Sequence, residues 1–244
     1  MQVALICDIE TTGLDKFKDD ITEFGWIRID PNTTEILDHG VIYFYKDSFN
    51  VEATQHITGL TREFLSQYSG DFEKNLAAMM SLMSNTVVIG KNSKFFDVPF
   101  IQQFIRRWGT STAVSVTSQL DVQELFTPIF KQLYLKKYNK PYTGKFGKLG
   151  QYIEVLDAED EVKSIYNSLD KVRETEAHGA LYDCVMTLVS LRAAIDYMNN
   201  QANQQTEQQT VNEPVQQPTA PADVDSDTPN LDELINDNGE VIFE

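Results

Sequence analysis

The sequence predicts a mixed α/β fold on three observations. Strand-like apolar runs crowd the first 46 residues, helical periodicity dominates after residue 71, and apolar residues make up 41% of the chain, enough to bury a core. The 244 residues hold material for one substantial domain plus an appendage.

Residues 1–10 form an apolar run ending in acids, ITEFGWIRID (21–30) follows, and EILDHGVIYFYK (35–46) comes next, so three consecutive strands are expected, with Pro31 and Asn32 supplying one turn. DFEKNLAAMMSLMS (71–84) has a helical period, TVVIG (86–90) reads as a short buried strand, and FDVPFIQQFIRRW (96–108) as a helix stopped by Gly109. A helix over VQELFTPIF (122–130) is weakened by Pro128. GKLGQYIEVL (147–156) and EVKSIYNSLDKV (161–172) are further helical segments, and HGALYDCVMTLVSLRAAIDYM (178–198) is a long amphipathic helix that closes the domain.

The domain is therefore placed at residues 1–198. Residues 199–230, rich in Gln, Pro and Asp, have too little apolar surface to offset ordering entropy and read as a disordered linker. Residues 231–244 regain Leu231, Leu234, Ile235, Val241, Ile242 and Phe243 among acids. That makeup suits a segment docking on a partner protein, a fold-back mimic of nucleic acid over the active site, or a solubilising tail. There is no internal repeat.

No uninterrupted apolar run approaches the roughly 18 residues of a membrane span, so no membrane contact is expected. The start lacks a basic region and a small-residue cleavage site, which points to the cytoplasm. Cys7 and Cys184, each in an apolar stretch, read as buried free thiols. The net charge of −17 is uneven: residues 201–244 hold ten of the 37 acids and none of the 20 Lys and Arg, leaving 27 acids against 20 bases on the first 200. A body at −7 excludes nucleic-acid binding through a broad basic surface, so any such ligand must be held locally, at a chain end and with metal help.

Asp8 and Glu10, two apart at the end of an apolar strand, share one face. Two carboxylates there raise each other's pKa and resist burial unless cations or hydrogen bonds compensate, and all-oxygen ligands suit Mg²⁺ or Mn²⁺ rather than zinc. A strand end emerging into water is the plain alternative. Asp97, before Val98 and Pro99, fits a helix N-cap. Asp183 lies on the closing helix among Leu181, Tyr182, Cys184 and Val185, poor company for a solvated acid, and His178 is five residues earlier.

DIETTGL (8–14), NSKFFD (92–97) and HGALYD (178–183) resemble, in order, the three motifs of the DEDDh exonucleases, the family that includes the proofreading subunits of bacterial replicative polymerases. The resemblance covers roughly residues 3–195. It implies an RNase H-like fold, a mixed five-stranded sheet flanked by helices, and hydrolysis from the 3′ end that releases nucleoside 5′-monophosphates. It assigns Asp8, Glu10, Asp97 and Asp183 to two divalent cations, Mg²⁺ with Mn²⁺ as a substitute, and His178 to the general base. Two such ions activate water and stabilise the leaving oxygen, and a neutral imidazole takes the proton near pH 7. It also implies substrate contacts from Thr11, Thr12 and Gly13, with Leu14 wedged against the terminal base, Glu52 and Ile57 of EATQHITGL near the terminal nucleotide, and Asn92 holding the strand.

The sequence departs from the family where His-Asn often precedes Phe-Asp, since Lys91 precedes Asn92 here, and the segment from Asp157 to Glu176 is longer and more charged than usual. Asp121 resembles an acid common near a helix start in the family and reads as an N-cap for VQELF. His39 and His56 read as surface or loop residues, and Lys91, Lys94, Arg106 and Arg107 as a phosphate track, with a solvated helix face the alternative for Arg106 and Arg107. A free-standing 3′ exonuclease on single-stranded nucleic acid, DNA favoured over RNA, is the leading expectation. An RNA-processing exoribonuclease and a polymerase accessory module are the others. The complete set of four acids and one histidine argues against the last.

Overall fold

β1 (Ala4–Thr11) organises the molecule, because successive strand residues face opposite ways. Ala4 and Ile6 enter one core, whereas Leu5, Cys7 and Ile9 enter a second. The computed structural model describes residues 3–109, 114–171 and 179–211. β2 (Ile21–Ile29) and β3 (Ile36–Tyr43) join β1 antiparallel on one side. On its other side run β4 (Val87–Gly90) and β5 (Ser118–Asp121), both parallel to it. The sheet order is β3-β2-β1-β4-β5, the mixed five-stranded sheet that the motif resemblance implies.

Helices cover both faces. α1 (Gln55–Thr58), α2 (Arg62–Ser66) and α3 (Phe72–Met83) connect β3 to β4, and α4 (Asp97–Trp108) connects β4 to β5. Their apolar sides, among them Leu65, Phe72, Met79, Phe100 and Phe104, close the core over Leu5, Cys7 and Ile9. Phe44, Phe49, Phe72 and Phe104 meet edge-on or tilted, with centroids 5.2 to 6.4 Å apart. Each such fully buried ring contributes about 1.5–3 kcal/mol. The other face is covered by α5 (Val122–Tyr138), α6 (Leu149–Leu156), α7 (Glu159–Ser168) and α8 (Ala180–Val211).

Three features differ from the sequence reading. β5 was not anticipated, because SQLD offers one apolar residue and no alternation long enough to register. α5 passes through Pro128 and continues to Tyr138 before Asn139 ends it in the left-handed conformation, with φ 51°. The buried Phe126, Ile129 and Phe130 on either side outweigh the one lost N–H. α8 extends past the composition boundary at residue 198. NNQANQQTEQQTV has no Gly or Pro to break a helix and five Gln among its thirteen residues, and Gln sustains one.

Cys7 and Cys184 are buried free thiols, as expected. Among the described residues no helix is long and apolar enough to cross a membrane. His178, the end of the charged segment before it (residues 172–176), and residues 212–244 with their proposed docking motif lie outside the described residues.

Candidate active site

Asp8 and Glu10 share the β1 face that carries Ala4 and Ile6, the face covered by α8. Asp183 stands in the first turn of α8, its N–H bonded to the Gly179 carbonyl at 3.0 Å. Carboxylate oxygens of Asp8, Glu10 and Asp183 all lie within 4.8 Å of one another. Gly25 makes this approach available. It pairs across the sheet with Asp8, and a Cβ on it would lie 2.4 Å from backbone atoms of Ala180 and Leu181. Only a residue without a side chain lets the start of α8 press this closely on β2.

Asp97 flanks the three from the head of α4. It is the first helical residue rather than the cap before it. β1 pairs with β4 only from Ala4 to Ile6, and past that point the Ile9 N–H hydrogen-bonds the Asp97 carboxylate. Burial raises the Asp97 pKa to about 7; its own N–H and that of Ile9 pull it down, while the charges of Asp121 and Asp183 push it up. Asp8 is raised well above the ordinary carboxylate range, first by burial, then by Asp97, Asp183, Glu10 and Glu23. A set of close carboxylates that burial drives toward neutrality is a site suited to hard divalent cations, which favour the charged form and accept oxygen ligands.

Glu23 is a member that sequence reasoning missed. It is 2% exposed and faces Glu10 across the strands. The signal was its parity with Gly25, Ile27 and Ile29, which places it on the inner face. The β1–β2 register shifts just beyond, between Glu10 and Thr11, and Thr22 Oγ1 donates to the Glu10 carbonyl at 3.1 Å. A bulge here re-aims the strand end as it enters the motif loop.

That loop is tightly built. Thr11 Oγ1 donates to the Gly13 carbonyl at 2.6 Å, and Thr12 exchanges bonds of 2.9 Å with Asp20 through its N–H and hydroxyl. A Cβ on Gly13 would lie 2.3 Å from Asp19 Oδ2, which already accepts the Asp15 N–H at 2.8 Å. Leu14 is left 84% exposed at the tip. Thr54, also unanticipated, donates to the Thr11 carbonyl at 2.7 Å and ties the segment of Glu52 and Ile57 to the end of β1. Ile57 is exposed. Glu52 instead forms a two-point bond with Arg62, at 2.7 and 2.9 Å, which holds its pKa at about 2.

Asp121 is an N-cap, as the sequence suggested. Its Oδ1 accepts the Gln123 N–H at 2.9 Å and also the Asn92 N–H at 2.8 Å, securing the loop after β4. Asn92 takes a left-handed conformation there, with φ 62°. Lys91 bonds Gln123 Oε1 at 3.2 Å; burial lowers its pKa against the pull of Asp121, Asp8, Asp183 and Asp97. Of the four bases read as a phosphate track, Lys91, Lys94 and Arg107 have protein partners. Lys94 stands 3.9 Å from Glu124, and Arg107 bonds the carbonyls of Phe17 and Asp19 and pairs with Asp20 at 2.9 Å. His39 is on β3 rather than in a loop, and its Nε2 accepts the Asp170 N–H at 3.0 Å. His56 is exposed in α1.

Comparison with known proteins agrees with this arrangement. The chain is 25% identical over 209 residues to the PolC-type DNA polymerase III of Ureaplasma parvum, covering 82% of this chain and 14% of that protein. It is 34% identical over 98 residues to the PolC-type polymerase of Mycoplasma genitalium, covering 40% of this chain and 6% of the relative. The chain thus spans a small part of the polymerases it matches. Among solved structures, E. coli exonuclease I in complex with a dT13 oligonucleotide is similar, with TM-score 0.55 and 19% identity over 80% of this chain and 41% of that one. A moderately thermophilic exonuclease I from Methylocaldum szegediense is similar with TM-score 0.53 and 19% identity, over 78% and 39%. These likenesses are to the fold. The exonuclease family described as RNase_T matches residues 5–190, which include the β1, α4 and α8 carboxylates and, but for Ala4, all five strands. The chain belongs to this exonuclease family and has its RNase H-like fold.

Proposed function

We propose that the protein hydrolyses single-stranded DNA from its 3′ end and releases nucleoside 5′-monophosphates. The observation that carries this reading is the group of carboxylates on β1, α4 and α8, with Asp8 and Asp97 raised above the ordinary carboxylate range, at the foot of a hydrogen-bonded loop with an exposed leucine. Asp8, Glu10, Asp97 and Asp183 would hold two divalent cations, Mg²⁺ with Mn²⁺ as a substitute. Bound there, such ions supply an activated water and neutralise charge on the leaving 3′-oxygen. Thr11, Thr12 and Gly13 present backbone groups to the terminal nucleotide, and Leu14 packs against its base. Ile57 completes that pocket, with Glu52 fixed beside it by Arg62. Asn92 steadies the strand, and His178 takes the proton from the attacking water. DNA is favoured over RNA because both curated relatives are DNA polymerases.

The direct test is digestion of end-labelled DNA and RNA oligonucleotides, single- and double-stranded, with Mg²⁺ and with EDTA. Loss of 3′ nucleotides one at a time from single-stranded DNA, abolished by EDTA, is the expected result. Products that shorten from the 5′ end, or hydrolysis undiminished by EDTA, would overturn the reading. A second measurement addresses His178. A general base works only when unprotonated, so the rate should rise with pH through a histidine pKa near 6.5, and this limb should vanish in His178→Ala while metal binding survives. A profile unaltered by the substitution removes His178 from the base role.

A further inference from the structure

Between the end of the β1 motif loop and the head of α4 lies a cleft of about 480 Å³, lined by Leu14, Lys16 and Phe17 from the loop and by Phe95, Phe96 and Phe100 from the other segment. Phe17 is 67% exposed and Phe95 65%. Large apolar side chains left in water forgo the stabilisation of burial, and clustered exposed ones mark interaction sites. The rings are held out by construction. Arg107 anchors the Phe17 carbonyl at 3.2 Å, and the Phe17 N–H donates to Asp15 Oδ1 at 3.0 Å. Phe95 rides on the turn entering α4, its N–H bonded to the Asn92 carbonyl at 3.1 Å, while neighbouring Phe96 packs on Phe100 with centroids 5.6 Å apart.

Each exposed ring also has its own ammonium. Lys16 Nζ lies 5.6 Å from the Phe17 centroid and Lys94 Nζ 5.8 Å from that of Phe95. The one acid lining the cleft, Asp15, is already paired with Lys18 at 3.3 Å, while Lys94 also stands 3.9 Å from Glu124 in a half-exposed pair that a phosphate can displace. Aromatic faces accompanied by cations are the combination that holds single-stranded nucleic acid, because every base has a π-face and every linkage a phosphate. Both walls of the cleft are joined to the active site along the chain: Leu14 ends the motif that begins at Asp8, and Phe96 immediately precedes Asp97.

Resting on the proposed exonuclease function, we infer that Phe17 and Phe95 stack unpaired bases upstream of the 3′-terminal nucleotide, with Lys16 and Lys94 taking the adjoining phosphates. This explains how an acidic body grips its substrate without a basic groove. It also supplies a selection for single strands, since bases held in a duplex cannot offer their faces to the rings.

The test compares the full chain with F17A, F95A and the double variant on 5′-labelled 20-mers of single-stranded DNA and on a dinucleotide too short to reach the rings. Each lost ring should raise KM on the 20-mer by about tenfold with kcat retained, from the typical cost of losing a stacked base. The dinucleotide should be indifferent to the substitutions, and melting should be unchanged because both side chains are exposed. Removing the base at the third or fourth nucleotide from the 3′ end should slow the parent and leave the double variant unaffected. Binding is read without hydrolysis by F95W, whose fluorescence should be quenched by dT20 in EDTA beyond the response of Trp26 and Trp108 in the parent. If the parent degrades no oligonucleotide but F95W is quenched, the exonuclease reading falls and the stacking site stands. If the parent degrades 20-mers and the double variant does so with unchanged KM, the stacking site is wrong. Quenching by a peptide of residues 229–244 and not by dT20 would likewise overturn it, assigning the cleft to the chain's own tail.

Discussion

Asp97→Asn is expected to lower turnover by several orders of magnitude and, in metal-free buffer at neutral pH, to raise the melting temperature. The two effects share a cause. The Asp97 carboxyl, ordinarily near 3.8, is pushed to about 7, chiefly by burial. Between those values the unfolded chain has released the proton and the folded chain keeps it, so the folded state binds more protons and stability falls as pH rises. Moving one carboxyl that far corresponds to on the order of 4 kcal/mol, a penalty absent below pH 4 and complete above 7. Asp8 is displaced in the same direction and adds to the slope.

Asn cannot ionise, so the variant should lose that part of the pH dependence and melt above the parent at pH 7 without metal. Saturating Mg²⁺ should reverse the order, because cations that bind only the folded state stabilise the parent and relieve the repulsion among its carboxylates. The measurements are melting curves from pH 4.5 to 7.5 with EDTA and with Mg²⁺, alongside turnover on a single-stranded oligonucleotide. A variant within tenfold of parental turnover, or a metal-free parent that gains stability from pH 4.5 to 7, would show that these acids do not form the site described.

The parts of this site that were legible in the sequence are those governed by local spacing. Asp8 and Glu10 share a face because strand period is 2, and the apolar run before them announced the strand. Asp121 announced its cap by standing ahead of a helical run. The order of the three motifs located Asp97 and Asp183. Long-range partners were not legible in the same way. Arg62 answers Glu52, Thr54 reaches Thr11, and Arg107 pins a loop 88 residues earlier in the chain. Each is a polar residue whose local sequence is indifferent to its partner. β5 was hidden for a related reason: four residues on the far side of β4 become a strand because α4 delivers them there. Gly25 lay between these extremes. A glycine inside a strand signals close approach of another backbone, but only the fold reveals that the backbone is the start of α8.

Gly25→Ala should therefore be the most damaging substitution outside the carboxylates themselves. The added methyl would lie 2.4 Å from the Ala180 carbonyl carbon and the Leu181 nitrogen, and 2.7 Å from the Ala180 oxygen. These are backbone atoms in the first turn of a helix, so no rotamer change relieves the clash; β2 and α8 must separate. Overpacking of this kind costs about 1–3 kcal/mol. The larger consequence is at Asp183, in the same first turn of α8, whose carboxylate must stay within 4.8 Å of those of Asp8 and Glu10. A misplacement of about 1 Å at a reacting centre is enough to reduce rate about a hundredfold. The expected result is kcat lowered by about that factor with KM little changed, and calorimetry showing weaker divalent-cation binding. The loss should persist well below the melting temperature, so unfolding does not account for it. Gly70→Ala, where a Cβ meets nothing within 4 Å, should leave turnover and cation binding at parental levels. A Gly25→Ala enzyme within threefold of parental turnover and with parental cation affinity would mean that the contact between β2 and α8 does not set the position of Asp183.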